Sequence, residues 1–385
     1  MKLKRLFLLN LLFLITSCTL TLKTPVSHVV SGFFINDEYI LPLNTTITLK
    51  MYDKKQINEV KDNFDNIVNS LNKDVDRYHD YPNYNNLKSI NDSCGSNKKI
   101  VVSKELIEVL KEGIKLTKQT NGYFNIFMGN IIDYYKTFLN SENAIVDDNK
   151  INELIKNIPS YEIIDDILII DEATSSVTLN KYNGNNVIIS LGAIAKGFVI
   201  QKSIDYLKEY NYSLMVDAGS SIIATLKQNP SNENKKWNVG ILAPLFNESE
   251  LLCKFSYFND GYISTSSYSN QYYFYNDKLY HHIINPKTGY SNNKISSITL
   301  FSKDASLSIL DALSTGLYNM DEKEIISTIM TFNKLYNTNI EFLLVKPHIN
   351  GAIIEYREFD VIISKEFNNL IVNEFNDKIK SVKII

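Results

Sequence analysis

Apolar residues recur along this chain with two different periods, and the switches between them lay out its elements. From Lys54 to Leu71 the apolar positions are Ile57, Val60, Phe64, Ile67, Val68 and Leu71. Spacings of three and four put them on one face of a helix. A second helix is predicted over Val101–Thr120, opened by Ser103 and Lys104-Glu105 and closed by Asn121-Gly122. Others follow over Ala195–Tyr210, Ala305–Tyr318 and Asp321–Phe332. Elsewhere the runs are short and rich in β-branched or aromatic residues, as strands are. They cover Thr45–Tyr52, Ile163–Ile170, Ser176–Leu179, Val187–Leu191, Tyr212–Asp217, Trp237–Leu242 and Phe255–Thr265. Tyr272–Tyr275, Leu279–Ile284 and Ile295–Phe301 continue the series, and Glu341–Lys346 with Gly351–Tyr356 reads as a closing hairpin. Asp80–Asn97 is rich in turn-forming residues and is read as loop. Ile131–Ile158 is read as short helices around a polar insertion. Many strands interspersed irregularly with few helices predict an α+β fold, mixed β-sheets with flanking helices, rather than a regular βαβ array.

The N-terminus follows a different rule. Lys2, Lys4 and Arg5 precede an apolar run from Leu6 to Ile15, broken only by Asn10. That run is about half the ~20 residues a membrane-spanning helix needs. It ends in Ile15-Thr16-Ser17-Cys18, which resembles a bacterial lipoprotein cleavage box. Residues 1–17 are therefore expected to be a lipoprotein signal peptide. Cys18 is expected to be the lipidated mature N-terminus and 18–40 a tether with a lead-in strand. The chain would then sit outside the cytoplasm, held to the cell membrane by more than one acyl chain, since one holds only marginally. Cys94 and Cys253 remain, with no CxxC and no Cys/His cluster to suggest zinc or a dithiol centre. A disulfide between them stays open, and two small buried residues is the simpler reading. Net charge is −3 with both signs mixed along the chain, so no basic stripe marks a nucleic-acid partner.

Three segments carry candidate chemistry. Ser190-Leu-Gly-Ala-Ile-Ala-Lys-Gly197 runs from an apolar stretch through glycines into a helix. Gly192 and Gly197 allow close backbone approach, the helix start offers N–H groups to phosphate, and Lys196 adds a positive charge. Glycines that serve only the turn and the packing of the helix are the bland alternative. Asp311-Ala-Leu-Ser-Thr315 stacks a carboxylate and a hydroxyl at i and i+4 among Ile309, Leu310, Leu313 and Leu317. Two hard oxygens are too few for a calcium cage but suit Mg²⁺, which takes its other ligands from water and phosphates; a solvated helix face is the bland alternative. His281-His282 precedes Ile283-Ile-Asn-Pro-Lys-Thr-Gly289, a tight turn that leaves His282 at a cleft edge, suited to general-base work, with a surface or structurally bonded histidine as the alternative.

In this order and spacing the three segments resemble the FAD:protein FMN transferases of the ApbE family. The family patterns are close to Asp-Leu-Gly-Gly/Ala-Ile-Ala-Lys-Gly, His-Ile-Ile-Asp-Pro-Arg/Lys-Thr-Gly and Asp-Ala-Leu-Ala-Thr. Weaker matches are Asp76-Arg-Tyr-His-Asp80 with Tyr84–Asn91, Gly122-Tyr-Phe-Asn125, Asp217-Ala-Gly-Ser-Ser221 and Ser264-Thr-Ser-Ser-Tyr268. The chain departs from the family at Ser190, Ser220, Ser221, Ser267 and Asn285, and an aspartate that tunes the histidine would be missing at Asn285. The resemblance implies an ApbE-like domain over 41–356 with a cleft for FAD, followed by an extension over 357–385. It implies Mg²⁺-dependent transfer of FMN from FAD to a Ser or Thr of an acceptor protein, with release of AMP. His282 would be the base; Asp311, Thr315 and the Ala193 carbonyl would hold the metal. Gly192, Lys196, Gly197, Thr288 and Tyr268 would contact the flavin nucleotide, with Tyr123 a further stacking candidate. Two rival readings use the same residues: a surface lipoprotein that binds flavin without catalysis, and an enzyme that hydrolyses FAD to FMN and AMP.

Overall fold

The computed structural model describes residues 23–385 except 36–37, 140–145, 220, 247, 270, 277 and 351–352, so Cys18 and Ser220 lie outside the described residues. The fold is α+β. Its frame is a nine-stranded sheet whose strands neighbour one another in chain order. They are β1 (Val26–Val29), β2 (Ile47–Met51), β3 (Leu214–Ala218), β4 (Ile222–Leu226), β5 (Gly261–Ser267), β6 (Ser297–Ser302), β7 (Glu341–Asn350), β8 (Ile353–Ile363) and β9 (Ile379–Ile384). Each neighbouring pair is antiparallel except the last, β8 with β9.

Strand alternation builds a core on each face of the sheet. Tyr262, Leu300 and Leu344 point to one side, and Ile263, Phe301 and Leu343 to the other. The first side is covered by α1 (Ile57–Val75), α2 (Lys104–Gln119), α3 (Ala195–Lys208), α4 (Leu307–Tyr318) and α5 (Glu322–Tyr336). Asp321 and Glu324 bond each other's backbone N–H to start α5. The second side is covered by a ribbon of Trp237–Leu242 paired with Leu251–Tyr257, and by Phe367. A third, small core holds Ile131, Tyr135, Ile151, Tyr280 and Ile284. It joins the helix Gly129–Leu139 to the hairpin of Tyr272–Tyr275 and Lys278–His281.

The sheet runs past both bounds drawn from sequence. In the segment read as tether, β1 pairs with β2, Val26 opposite Met51 and Val29 opposite Thr48. Lys23 bonds the Pro230 carbonyl and pairs with Asp53, just beyond the end of β2. The segment read as extension supplies the end of β8, Phe367 for the second core, and β9.

Several elements differ from expectation. Within the Asp80–Asn97 loop, Leu87–Asp92 is helical because Asn86 and Ser89 form a capping box. Ile164–Ile167 is a helical turn before the strand Leu168–Asp171. Phe255–Thr265 is two strands, broken where Asn259 takes φ 64°. Val187–Leu191 forms no ladder: Ile189 bonds the Asn91 side chain through both its N–H and its carbonyl, and Ser190 N–H bonds the Ile126 carbonyl. Cys94 and Cys253 are buried and unpaired, which closes the disulfide question.

Candidate functional site

At the end of the sheet where β2 begins, a cavity of about 870 Å³ opens between the sheet, the Trp237–Leu242 ribbon, the start of α3 and the His282 turn. Thr45, Gly192, Lys196, His282, Asp311 and Thr315 are among its lining residues. Three segments far apart in sequence thus converge on one space.

The hairpin explains the two histidines. His281 is the last residue of its strand, opposite Tyr272, and His282 lies just past the strand's end. His281 is fully buried beside Tyr268 and Tyr318. Burial, with the charge of His282 next to it, lowers its pKa to about 3. His282 opens to the cavity. Its backbone N–H donates to the Gln271 carbonyl at 3.2 Å, and its ring Nδ1 lies 3.3 Å from the same oxygen. A carbonyl only accepts, so Nδ1 carries the proton and Nε2 keeps its lone pair. Although its ring is accessible, the cavity walls shield it from bulk water, and that desolvation lowers its pKa to about 4. The Gln271 bond opposes this and Lys196 adds to it. Asn285 does not tune the ring. Its side chain caps Lys287 N–H at 2.9 Å and donates to the Asn319 carbonyl at 3.4 Å.

On α4, Asp311 is 5% exposed, and burial holds its carboxyl above the usual range, against the pull of Lys196 and the Gly197 N–H. Among the described residues, that N–H, at 2.9 Å, is its one hydrogen-bond donor. Thr315, one turn on, is half-buried and faces the same cavity. A nearly buried carboxylate so thinly compensated, beside a hydroxyl, suits a hard cation. Ala193 lines the cavity on the turn before α3.

The two glycines part company. A Cβ on Gly197 would stand 2.2 Å from the Leu307 carbonyl oxygen, so this glycine lets α3 and α4 touch and does not line the cavity. A Cβ on Gly192 would meet only Ser190 Oγ at 3.8 Å, so packing does not require this glycine, which is exposed to the cavity. Two expected contacts fall elsewhere. Tyr268, one residue past the end of β5, is fully buried and stacked on Phe246. Thr288 is exposed and is not among the lining residues; its hydroxyl accepts from Tyr290 N–H. Tyr123 does line the cavity, with Lys287 Nζ 3.5 Å from its ring centre and its hydroxyl on Glu324. Ser190, Ser221 and Ser267, three of the departures from the family pattern, also line it.

The rim adds residues to which the sequence assigned no role. Arg77 bonds both oxygens of Asp133 at 2.9 and 2.6 Å and lies over the Tyr78 ring. Lys136 Nζ sits 4.1 Å from the same ring and bonds its hydroxyl. The Asp76–Asp80 motif signalled the first pair; no pattern pointed to Lys136.

The chain is 27% identical over 284 residues to the FAD:protein FMN transferase of Haemophilus influenzae, covering 73% of this chain and 79% of the relative. It is 24% identical over 289 residues to the protein of the same name from Treponema pallidum, covering 72% and 76%. Among solved structures, the ApbE protein of Thermotoga maritima has a TM-score of 0.69 at 20% identity, over 91% of this chain and 100% of that one. The flavin transferase ApbE of Vibrio cholerae has a TM-score of 0.67 at 20% identity, over 90% and 99%. These structures speak to the fold. The ApbE family model matches residues 43–337, well over half of the sequence. With that match and the converging motifs, the chain belongs to the ApbE family.

Proposed function

We propose that this protein is a FAD:protein FMN transferase, moving FMN from FAD to a Ser or Thr hydroxyl of a separate acceptor protein and releasing AMP. The observation that carries this reading is the convergence of His282, Lys196, Asp311 and Thr315 on one cavity large enough for a nucleotide. In the proposed step the acceptor oxygen bonds the FMN phosphorus, the bond from that phosphorus to the bridging oxygen breaks, and AMP departs. His282 Nε2 takes the acceptor's proton. Its neutral ring at pH 7 keeps that lone pair ready. Lys196 offsets negative charge on the phosphates from the first turn of α3.

Among the described residues no three His, Cys, Asp or Glu side chains gather as a metal site. The proposed Mg²⁺ would be held by Asp311, Thr315 and the Ala193 carbonyl, with FAD phosphates completing its oxygens. Such an ion, when bound, offsets charge developing on the transferred phosphoryl group. The proposed location is extracytoplasmic, with Cys18 carrying the lipid anchor. Intact-mass analysis of membrane-extracted protein should show residues 1–17 absent and acyl mass added, whereas an unmodified secreted form would exclude the anchor.

The decisive test incubates the protein with FAD and Mg²⁺, with and without a co-expressed acceptor. A fluorescent acceptor band that survives denaturing electrophoresis, with AMP formed alongside, is expected. AMP formed equally without acceptor would make the enzyme a hydrolase. Tight FAD binding with neither product would make it a flavin-binding protein.

A further inference from the structure

A run of hydroxyls lies behind the proposed metal position. Ser314 Oγ is 3.0 Å from the Asp311 carbonyl oxygen one turn back on α4. Its neighbours across the sheet face are Ser264 Oγ at 3.1 Å and Ser266 Oγ at 2.8 Å, both on β5. Ser266 Oγ is in turn 3.4 Å from Thr315 Oγ1. Ser264 and Ser314 are fully buried, while Ser266 and Thr315 reach the cavity.

Each serine or threonine hydroxyl has one hydrogen to donate, and this fixes the direction of the run. A carbonyl only accepts, so the Ser314 hydrogen goes to Asp311. Ser314 Oγ must then accept from Ser264 and from Ser266. With its own hydrogen on Ser314, Ser266 meets Thr315 as an acceptor, and Thr315 donates to it. Only lone pairs remain on the side of Thr315 Oγ1 that faces the cavity. A threonine hydroxyl in that state is a ligand for a cation and not a donor to phosphate.

We infer that Ser266 is a positioning residue, which by taking the Thr315 hydrogen fixes that hydroxyl as a metal ligand. The inference rests on the proposed metal site. It goes further by giving a role to a side chain that would not itself touch the ion. Partners of metal ligands typically contribute ~10–100-fold in affinity, and a bond to a neutral ligand belongs at the lower end of that range.

The test is Mn²⁺ titration followed by electron paramagnetic resonance of the free ion, with the protein saturated in FAD. Ser266→Ala should weaken Mn²⁺ binding about tenfold, in line with the lower end of that range. Ser266→Thr, which keeps the hydroxyl, should restore it. In a Thr315→Val background, Ser266→Ala should cost nothing more, because its route of action is gone. FAD affinity without metal, followed by flavin fluorescence, should be unchanged by Ser266→Ala. If Asp311→Ala and Thr315→Val lose Mn²⁺ while Ser266→Ala binds it as the parent does, the positioning role is refuted and the metal site stands. Additive losses in the double variant would refute it as well. If Asp311→Ala leaves Mn²⁺ binding intact, the metal site itself is wrong and the inference goes with it.

Discussion

His282 offers a free ring nitrogen to the cavity while the neighbouring ring of His281 is walled in, and the two should respond differently to replacement. His282→Ala should slow transfer by ~100- to 10,000-fold, the range for a positioned general base, with FAD binding largely kept. His281→Ala should lower stability and leave the rate per folded molecule nearly unchanged. Equal losses of transfer rate in the two variants would show that the wrong histidine is assigned. The pKa values of about 4 and about 3 lie below the ordinary 6.5 for both rings, which gives two pH dependences. Transfer should not fall until the pH drops toward 4, since the base form of His282 persists to that point. For stability, the unfolded chain binds more protons than the folded one between the unfolded and folded values. The contribution is therefore whole above about 6.5 and is lost as the pH falls through that window. Melting temperature against pH should show this slope, and His281→Gln should flatten it. Asp311→Ala should abolish metal-dependent activity with the fold retained, and Thr315→Val should impair it less. A metal response unchanged in the Asp311 variant would remove that residue from the site.

At the scale of elements, the contact of α3 with α4 decides what a glycine is for. Gly197→Ala would drive a methyl to 2.2 Å from the Leu307 carbonyl oxygen and 2.6 Å from Asp311 Cβ. Overpacking of this kind costs about 1–3 kcal/mol, more than the ~1 kcal/mol that alanine gains over glycine in a helix. The variant should melt lower and bind metal less well, because Asp311 moves with α4. Gly192→Ala should melt with the parent and lose FAD affinity instead. The reverse pattern would exchange the roles of the two glycines. The amphipathic helices were legible in the sequence because a stripe at 3.6-residue spacing needs no partner to be recognised. Val187–Leu191 misled because an apolar run says that a segment is buried, not where its backbone bonds go. The strand β4 was missed because it follows β3 almost at once, through Gly219 at φ 66°. Of the site, Gly192, Lys196 and His282 were legible because they stand at or beside the ends of elements, and Asp311 with Thr315 because they are polar residues one turn apart in an apolar helix. The Ser266–Ser314–Thr315 contacts were not, since they arise only when β5 is laid against α4.

For the whole molecule, the second core shows that the C-terminal segment is structural. A chain ended after Tyr356 would lose Phe359, Val361, Ile363 and Phe367 and would uncover Trp237, Phe255 and Leu343. Each large buried side chain lost costs about 2–5 kcal/mol, and the four together are comparable to the whole ~5–15 kcal/mol that stabilises a domain. The truncated protein should show no cooperative melt by near-ultraviolet circular dichroism. A parent-like transition would make 357–385 dispensable. The entry of the chain has a consequence for access. Lys23 is fixed beside Pro230 and Asp53, at the end of β2 remote from the cavity. Only four residues separate it from Cys18, a reach of at most ~18 Å. On the proposed lipid anchor at Cys18, the bilayer would lie toward that end of the molecule, and the cavity would open away from it into the aqueous phase. On the proposed function, the hydroxyl to be modified must arrive on a segment that stands clear of the membrane, not on a residue at the headgroup plane.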